Sequence, residues 1–170
     1  GITLNETPHR NKTVPIFAGA SFNHGGIMDS VELIVAPAVR VADLVAHPDP
    51  GTGIVNVRVL LVNTLAKAAS CALRVSIAPS PTGETLEEFR GERVVDAGET
   101  WVSVQLKIDH PHLWQLNDPF LYRVTAEVSC ATCSAASEYS VRCGFRDFRF
   151  ENGYFRLNGT RVFLRGSHTG

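Results

Sequence analysis

The chain has 170 residues, 44% of them hydrophobic and 19% charged, with 14 Gly and 9 Pro, a composition that builds a core with many turns and excludes a disordered chain. Its formal net charge of −1, with Lys and Arg scattered singly, gives no electrostatic support to a nucleic-acid or acidic-membrane partner. Apolar runs such as residues 59–62 fall far short of a membrane span, and the first residues lack the apolar stretch of a signal peptide.

The length suits one domain, or one complete domain carrying pieces of its neighbours. The chain opens on Gly1 and its single Met is the internal Met28, so its ends are expected to be cuts in a longer polypeptide. Residues 1–37 hold "FNHGGIMDSVELIV", a Gly-rich turn followed by a strand.

From Val39 onward the pattern has period two, and segments recur at the short spacing of an all-β sandwich. Residues 39–47 are the first. Val55, Val57, Val59 and Leu61 share one face of the second, with Asn56 and Arg58 opposite, after a turn holding Pro48, Pro50, Gly51 and Gly53. Cys71, Leu73, Val75 and Ile77 line the third, which Pro79 and Pro81 terminate. A short fourth strand is expected at residues 92–95, with the adjacent acids Glu87 and Glu88 ahead of it in a solvated loop. Val102, Val104, Leu106 and Ile108 alternate with Ser103, Gln105 and Lys107 in the fifth; Tyr122, Val124, Ala126 and Val128 alternate with Arg123, Thr125 and Glu127 in the sixth. Tyr139, Val141 and Cys143 are expected to face inward on the seventh. Seven short strands in about 105 residues predict an immunoglobulin-like antiparallel β-sandwich, because two half-apolar sheets must cover each other.

Beyond that count, Phe155 and Leu157 pair in pattern with Val162 and Leu164 across Asn158-Gly159. That dipeptide readily supplies the two φ > 0 residues of a type I′ hairpin. Both flanks are expected to be parts of neighbouring domains.

Tyr122 follows Asp118-Pro119 at the start of the sixth strand, the place of a tyrosine corner, in which the hydroxyl bonds to nearby backbone. Trp114 is expected to pack the loop that crosses between the sheets. Of the four cysteines, Cys130 and Cys133 form a CxxC without the second pair that zinc requires, while Cys71 and Cys143 stand alone. An antibody-type inter-sheet bridge would need a Cys on the second strand, where there is none. The cysteines are therefore expected to be small buried hydrophobes and a hairpin pair, with no metal and no cofactor.

The stretch "GFRDFRFENGYFRLNGTRVFLRG" (residues 144–166) resembles a junction in glycoside hydrolase family 2, the family of β-galactosidases, β-glucuronidases and β-mannosidases. Gly144-Phe145-Arg146, Leu157-Asn158-Gly159 and Leu164-Arg165-Gly166 match it in order and spacing. "HPHLWQLNDPFLYRVTAEV" (residues 110–128) is similar to the family's Pro-x-Leu-Trp and Pro-x-Leu-Tyr segment, and residues 22–49 resemble the exit from its N-terminal jelly-roll domain.

The resemblance implies three parts: residues 1–38 as the end of a jelly roll, 39–144 as the sandwich, and 145–170 as a junction hairpin and the first strand of a catalytic (β/α)8 barrel. It also implies a retaining glycosidase, whose two Glu residues stand about 5 Å apart on barrel strands. No catalytic residue is expected within the chain. Glu87 and Glu88, if extended, point to opposite sides, and the one Asn-Glu dipeptide, Asn5-Glu6, lies in the N-terminal flank.

Sugar contacts are expected from His168, near the end of a first barrel strand where such active sites are lined, and from Asn23 and His24 in the Gly-rich turn. The partners implied are a carbohydrate substrate, reached through the full-length enzyme, and the chain's own jelly-roll and barrel domains. The alternatives are a freestanding immunoglobulin-like binding module and an inactive relative that binds carbohydrate. Three Asn-x-Thr sequons, at Asn5, Asn11 and Asn158, are read as chance, since Asn158 sits in the tight hairpin.

Overall fold

The structure, a computed structural model, describes residues 30, 31, 33, 35–131, 133 and 135–166. Asn23, His24 and His168 lie outside them. The chain divides into two units between Val35 and Ala36. No strand falls among the described residues of the first unit, and all the strands lie in the second.

Seven strands build an immunoglobulin-like sandwich: β1 (Val39–Pro48), β2 (Ile54–Asn63), β3 (Ala69–Pro79), β4 (Glu87–Val95), β5 (Gly98–Lys107), β6 (Tyr122–Cys130) and β7 (Ser137–Cys143). One sheet has the order β1-β2-β5, the other β4-β3-β6-β7, and every pairing is antiparallel. The period of two decides which side chains go inside. Val55, Val57, Val59 and Leu61 of β2 meet Cys71, Leu73, Val75 and Ile77 of β3 across the core, all eight at most 1% exposed.

β1 carries the one irregularity of its pairing with β2. Val39 and Val41 face inward, the register shifts between Val41 and Asp43, and Leu44 then takes the inward position while Ala42 is exposed. One extra residue thus changes which parity points to the core. Just before the bulge the Val41 N–H donates to Ser137 Oγ at 3.2 Å, joining β1 to β7 of the other sheet.

Expectations for β4, β7 and the last hairpin need correction, and the state of one cysteine pair is fixed. Glu87 and Glu88 lie in β4, not in a loop. The inward positions of β4 are Phe89, Gly91, Arg93 and Val95, so a glycine and an arginine interrupt the apolar period there. Their presence has a packing cause: a Cβ on Gly91 would stand 2.8 Å from Phe89 Cζ, and the Arg93 guanidinium covers the Phe89 ring at 5.0 Å. Tyr139 is 42% exposed, because β7 is the edge strand of its sheet. Cys130 and Cys133 form a disulfide. The chain turns directly after β6, with the Cys133 N–H bonded to the Cys130 carbonyl at 3.0 Å, which sets the two Cα atoms 5.3 Å apart and within bridging range.

A third sheet follows: β8 (Phe148–Glu151), β9 (Tyr154–Leu157) and β10 (Thr160–Val162), in the order β10-β9-β8. Its two turns, Asn152-Gly153 and Asn158-Gly159, have φ of 51° and 82°, then 50° and 81°, the left-handed pairs that type I′ hairpins need. Phe155 pairs with Val162 as expected. Leu157 pairs instead with Thr160, and Leu164 lies past the end of β10, because a two-residue turn places its immediate neighbours opposite each other.

Candidate functional site

The loop from β5 to β6 crosses between the sheets, and aromatic rings hold it. Tyr122, 3% exposed, accepts the His112 N–H at 2.8 Å, the bond expected of a tyrosine corner. The His112 ring stacks on Phe120 (4.2 Å, 7°), Phe120 meets Tyr122 edge-on at 5.1 Å, and Tyr122 meets Phe145 edge-on at 5.3 Å. His112 Nε2 is 2.6 Å from Asp118 Oδ2 at the outer end of this row. Phe145 at the inner end is fully buried.

Each residue of Gly144-Phe145-Arg146 has its own local reason. A Cβ on Gly144 would come 3.2 Å from Trp114 Cβ and 3.3 Å from Leu121 Cδ2, so only glycine lets the chain pass that close without displacing a neighbour. Phe145 fills the core, and its carbonyl accepts the Trp114 N–H at 2.8 Å. Arg146 lies over the Trp114 ring at 5.3 Å.

Asn158 connects the third sheet to this loop. Its N–H donates to the Asp147 carbonyl at 2.8 Å and its Oδ1 accepts the Asp147 N–H at 2.9 Å. Its Nδ2 donates to the Trp114 carbonyl at 2.9 Å. The Trp114 backbone is thus held on its N–H by Phe145 and on its carbonyl by Asn158. With its amide nitrogen committed in this way, Asn158 is a poor glycan acceptor.

Beside the seam lies a cleft of ≈ 420 Å³ whose lining includes Ala46, His47, Trp114, Arg142 and Arg146. Among the described residues it presents two guanidinium groups and no carboxylate. Acidic residues converge elsewhere, on the outer face of the four-stranded sheet. Glu88 binds Arg90 Nε at 2.6 Å and Arg74 Nε at 2.8 Å, and Glu127 stands 3.8 Å from Arg74.

The hydrogen bonds from Arg90 and then Arg74 hold the Glu88 carboxyl down to about 2. A carboxyl so held is ionised at neutral pH, whereas a glycosidase acid needs its proton and a raised pKa. Elsewhere, Asp109, Asp147 and Glu151 form ion pairs with Lys107, Arg149 and Arg156 at 3.2, 3.0 and 3.2 Å.

The third sheet shows one apolar face. Cross-strand register places Phe148 with Leu157 and Phe150 with Phe155, and Val162 beside Phe155, on the same side. Phe148 stacks on Phe155 at 5.8 Å and Phe150 meets it edge-on at 5.2 Å, yet the three rings are 50%, 37% and 64% exposed for Phe148, Phe155 and Phe150. The sequence reading missed the roles of Phe145 as a core anchor and of Asn158 as a clamp. The signal available was the turn dipeptide alone, which explains a backbone angle but not a side-chain partner.

The sequence model of the glycosyl hydrolases family 2 matches residues 39–146, the whole sandwich through Arg146. The chain is 30% identical over 152 residues to a β-galactosidase of Erwinia tasmaniensis, a match covering 84% of this chain and 14% of that protein. It is similar in fold to a β-glucuronidase of Parabacteroides merdae (TM-score 0.62, 25% identity, 78% of this chain and 16% of that one). It is also similar to a glycosyl hydrolase family 2 member of Bacteroides cellulosilyticus (TM-score 0.65, 22% identity, 76% and 18%). The chain spans about one-seventh of the curated relative's length. By this match, the chain belongs to the glycosyl hydrolases family 2.

Proposed function

We propose that the chain is a non-catalytic central segment of a retaining glycoside hydrolase acting on β-glycosides, with the catalytic Glu pair downstream of Gly170. The carrying observation is that the family match spans the entire sandwich while the chain covers only 14% of the related β-galactosidase. The ion-paired state of Glu88 supports the same reading, since a carboxyl at about 2 cannot serve as the acid. In this proposal residues 1–38 end a jelly roll, 39–144 are the sandwich, and 145–170 lead into a (β/α)8 barrel.

The sandwich then acts as a spacer, fixing where one neighbour leaves and the next begins. The exposed face of Phe148, Phe150 and Phe155 supports this role, because rings left in water at a seam are apolar surface that a following domain can cover. His168, Asn23 and His24 are the proposed sugar contacts of the parent enzyme. Each is tested there by substitution to Ala, which should raise KM for the glycoside.

The deciding experiment compares the chain with the protein encoded by its full reading frame, on aryl β-galactosides, β-glucuronides and β-mannosides. The proposal expects turnover only from the longer protein, whose added sequence should hold about 250 residues of alternating β and α pattern. Turnover by the chain alone, abolished by a substitution within residues 1–170, would refute it.

A further inference from the structure

Three of the four cysteines meet at one end of the core. Cys130 is bonded to Cys133 in the turn after β6, and Cys71 of β3, 1% exposed, stands directly opposite Cys130 in the β3–β6 pairing. What matters is the kind of opposition, because antiparallel pairs alternate between hydrogen-bonded and non-hydrogen-bonded, and the latter bring side chains closer. The Ser80 N–H donates to the Leu121 carbonyl at 2.8 Å, which marks Ser80 and Leu121 as a hydrogen-bonded pair extending this ladder. The next pair, Pro79 with Tyr122, is then non-hydrogen-bonded, as a proline without an N–H requires.

No register shift interrupts the ladder from Pro79 back to Cys71, so every second pair shares this character, down to Cys71 with Cys130. The Ile77 carbonyl agrees: it accepts the Leu86 N–H at 2.9 Å and so faces the β4 side, not β6. A non-hydrogen-bonded pair has Cα atoms about 4.5 Å apart, inside the disulfide window of about 4.4–6.8 Å. Cys133 holds the same sulfur from a Cα 5.3 Å away.

We propose that Cys130 is shared between two alternative disulfides, one to Cys133 within the turn and one to Cys71 across the strands of the core. The two interconvert by thiol–disulfide exchange. The Cys71 thiol loses its proton, its thiolate attacks Cys130 Sγ, the bond between Cys130 and Cys133 breaks, and Cys133 leaves as a thiolate that takes up a proton. One disulfide and one thiol exist before and after, so no oxidant is consumed.

Burial raises the Cys71 thiol above its ordinary value, which makes the exchange slow near neutral pH and faster as pH rises. The cross-strand form staples β3 to β6 and frees the turn between β6 and β7. It closes a far longer loop, which restricts the unfolded chain more than the local bond does. Cys143, paired opposite Tyr122 at the other end of β6, has no part in it.

The test maps thiols in the folded chain after equilibration at pH 8 with a mixture of reduced and oxidised glutathione, acid quenching, alkylation and peptide mass spectrometry. Two species are expected: one with Cys71 alkylated, and one with Cys133 alkylated and Cys71 linked to Cys130. Cys143 is the internal free-thiol control. In Cys133→Ser the Cys71–Cys130 bond should form with oxidised glutathione, removing Cys71 from the alkylated set. Should that variant fail to fold, the wild-type mapping decides alone. Cys133 alkylated only when Cys130 is alkylated too, or Cys133→Ser carrying glutathione on Cys130 with Cys71 still free, would overturn the proposal.

Discussion

The side-chain amide of Asn158 donates to the carbonyl of Trp114 at 2.9 Å, which fastens the turn between β9 and β10 to the loop crossing between the sandwich sheets. The same residue holds φ at 50° and exchanges two bonds with Asp147. Asn158→Ala would lose both side-chain bonds and strain the left-handed backbone, together worth about 2–3 kcal/mol. Amide exchange across residues 148–162 should accelerate accordingly, with that of β2 and β3 unchanged. Asn158→Gly, which tolerates the angle but not the loss of bonds, should fall between. Equal protection in all three proteins would show that the clamp does not hold the third sheet.

Phe145 is the largest of the fully buried side chains among the described residues and sits past the last sandwich strand. Phe145→Ala should cost about 3–5 kcal/mol in urea unfolding, through lost burial and the cavity left between Tyr122 and Leu113. A loss under about 1 kcal/mol would mean that the seam collapses freely around the gap.

Asn63 is the one buried polar residue among those described, 2% exposed. Its Nδ2 donates to the Lys67 and Val95 carbonyls at 3.0 and 2.9 Å, and its Oδ1 accepts the Leu65 N–H at 2.9 Å. Asn63→Leu preserves volume but strands those three backbone groups, so a loss of about 2–4 kcal/mol is expected. Thermal unfolding measures it, and an unchanged midpoint would exclude the role.

Gly53 has φ of 72°, and a Cβ there would stand 2.1 Å from the Ile108 carbonyl oxygen. That oxygen belongs to backbone and cannot swing aside, while the Ile108 N–H is bonded to the Gly53 carbonyl at 2.9 Å. Gly53→Ala should therefore destabilise by more than about 2 kcal/mol. Gly83, also at φ 72° but with open space around it, is the control and should lose about 1 kcal/mol on the same change.

Glu88 predicts a pH dependence. Its folded-state pKa, about 2, lies below its ordinary value of 4.5 because Arg90 and Arg74 bond its charged form. Depression of a carboxyl stabilises the fold above the unfolded value, and the contribution fades as pH falls through the window from about 4.5 to about 2. The urea midpoint of the wild type should drop across that window, and the drop should be smaller in Glu88→Gln. Identical slopes would mean that the pair is screened by solvent.

How far the sequence foretold the fold depended on whether a residue's role was local. Val55 to Leu61 and Cys71 to Ile77 were readable because burial on one face leaves a period of two that nothing interrupts. β4 was half-hidden since Gly91 and Arg93 occupy its inward positions, and only the third dimension shows that they serve the Phe89 ring. β8 escaped notice although Asn152-Gly153 signals a turn as plainly as Asn158-Gly159, because Phe148 and Phe150 precede it in a segment of mixed charge. Tyr122 was legible as a corner, as its position after Asp118-Pro119 carries the geometry. The clamp at Asn158 was not, for its partner Trp114 is 44 residues away in sequence. The disulfide was left open by the sequence, because what decides it is the local turn that brings the Cα atoms of Cys130 and Cys133 to 5.3 Å.

The bond from the Val41 N–H to Ser137 Oγ has a consequence for self-association. β1 and β7 are outer strands of different sheets, and an outer strand with open backbone donors is a template on which another chain can add a strand. The bulge at Ala42 bends that margin, and the Ser137 hydroxyl occupies the donor just before it, so β1 offers no straight run of unpaired groups there. Removing the hydroxyl would strip that partner from the Val41 N–H, on the margin where β1 meets β7.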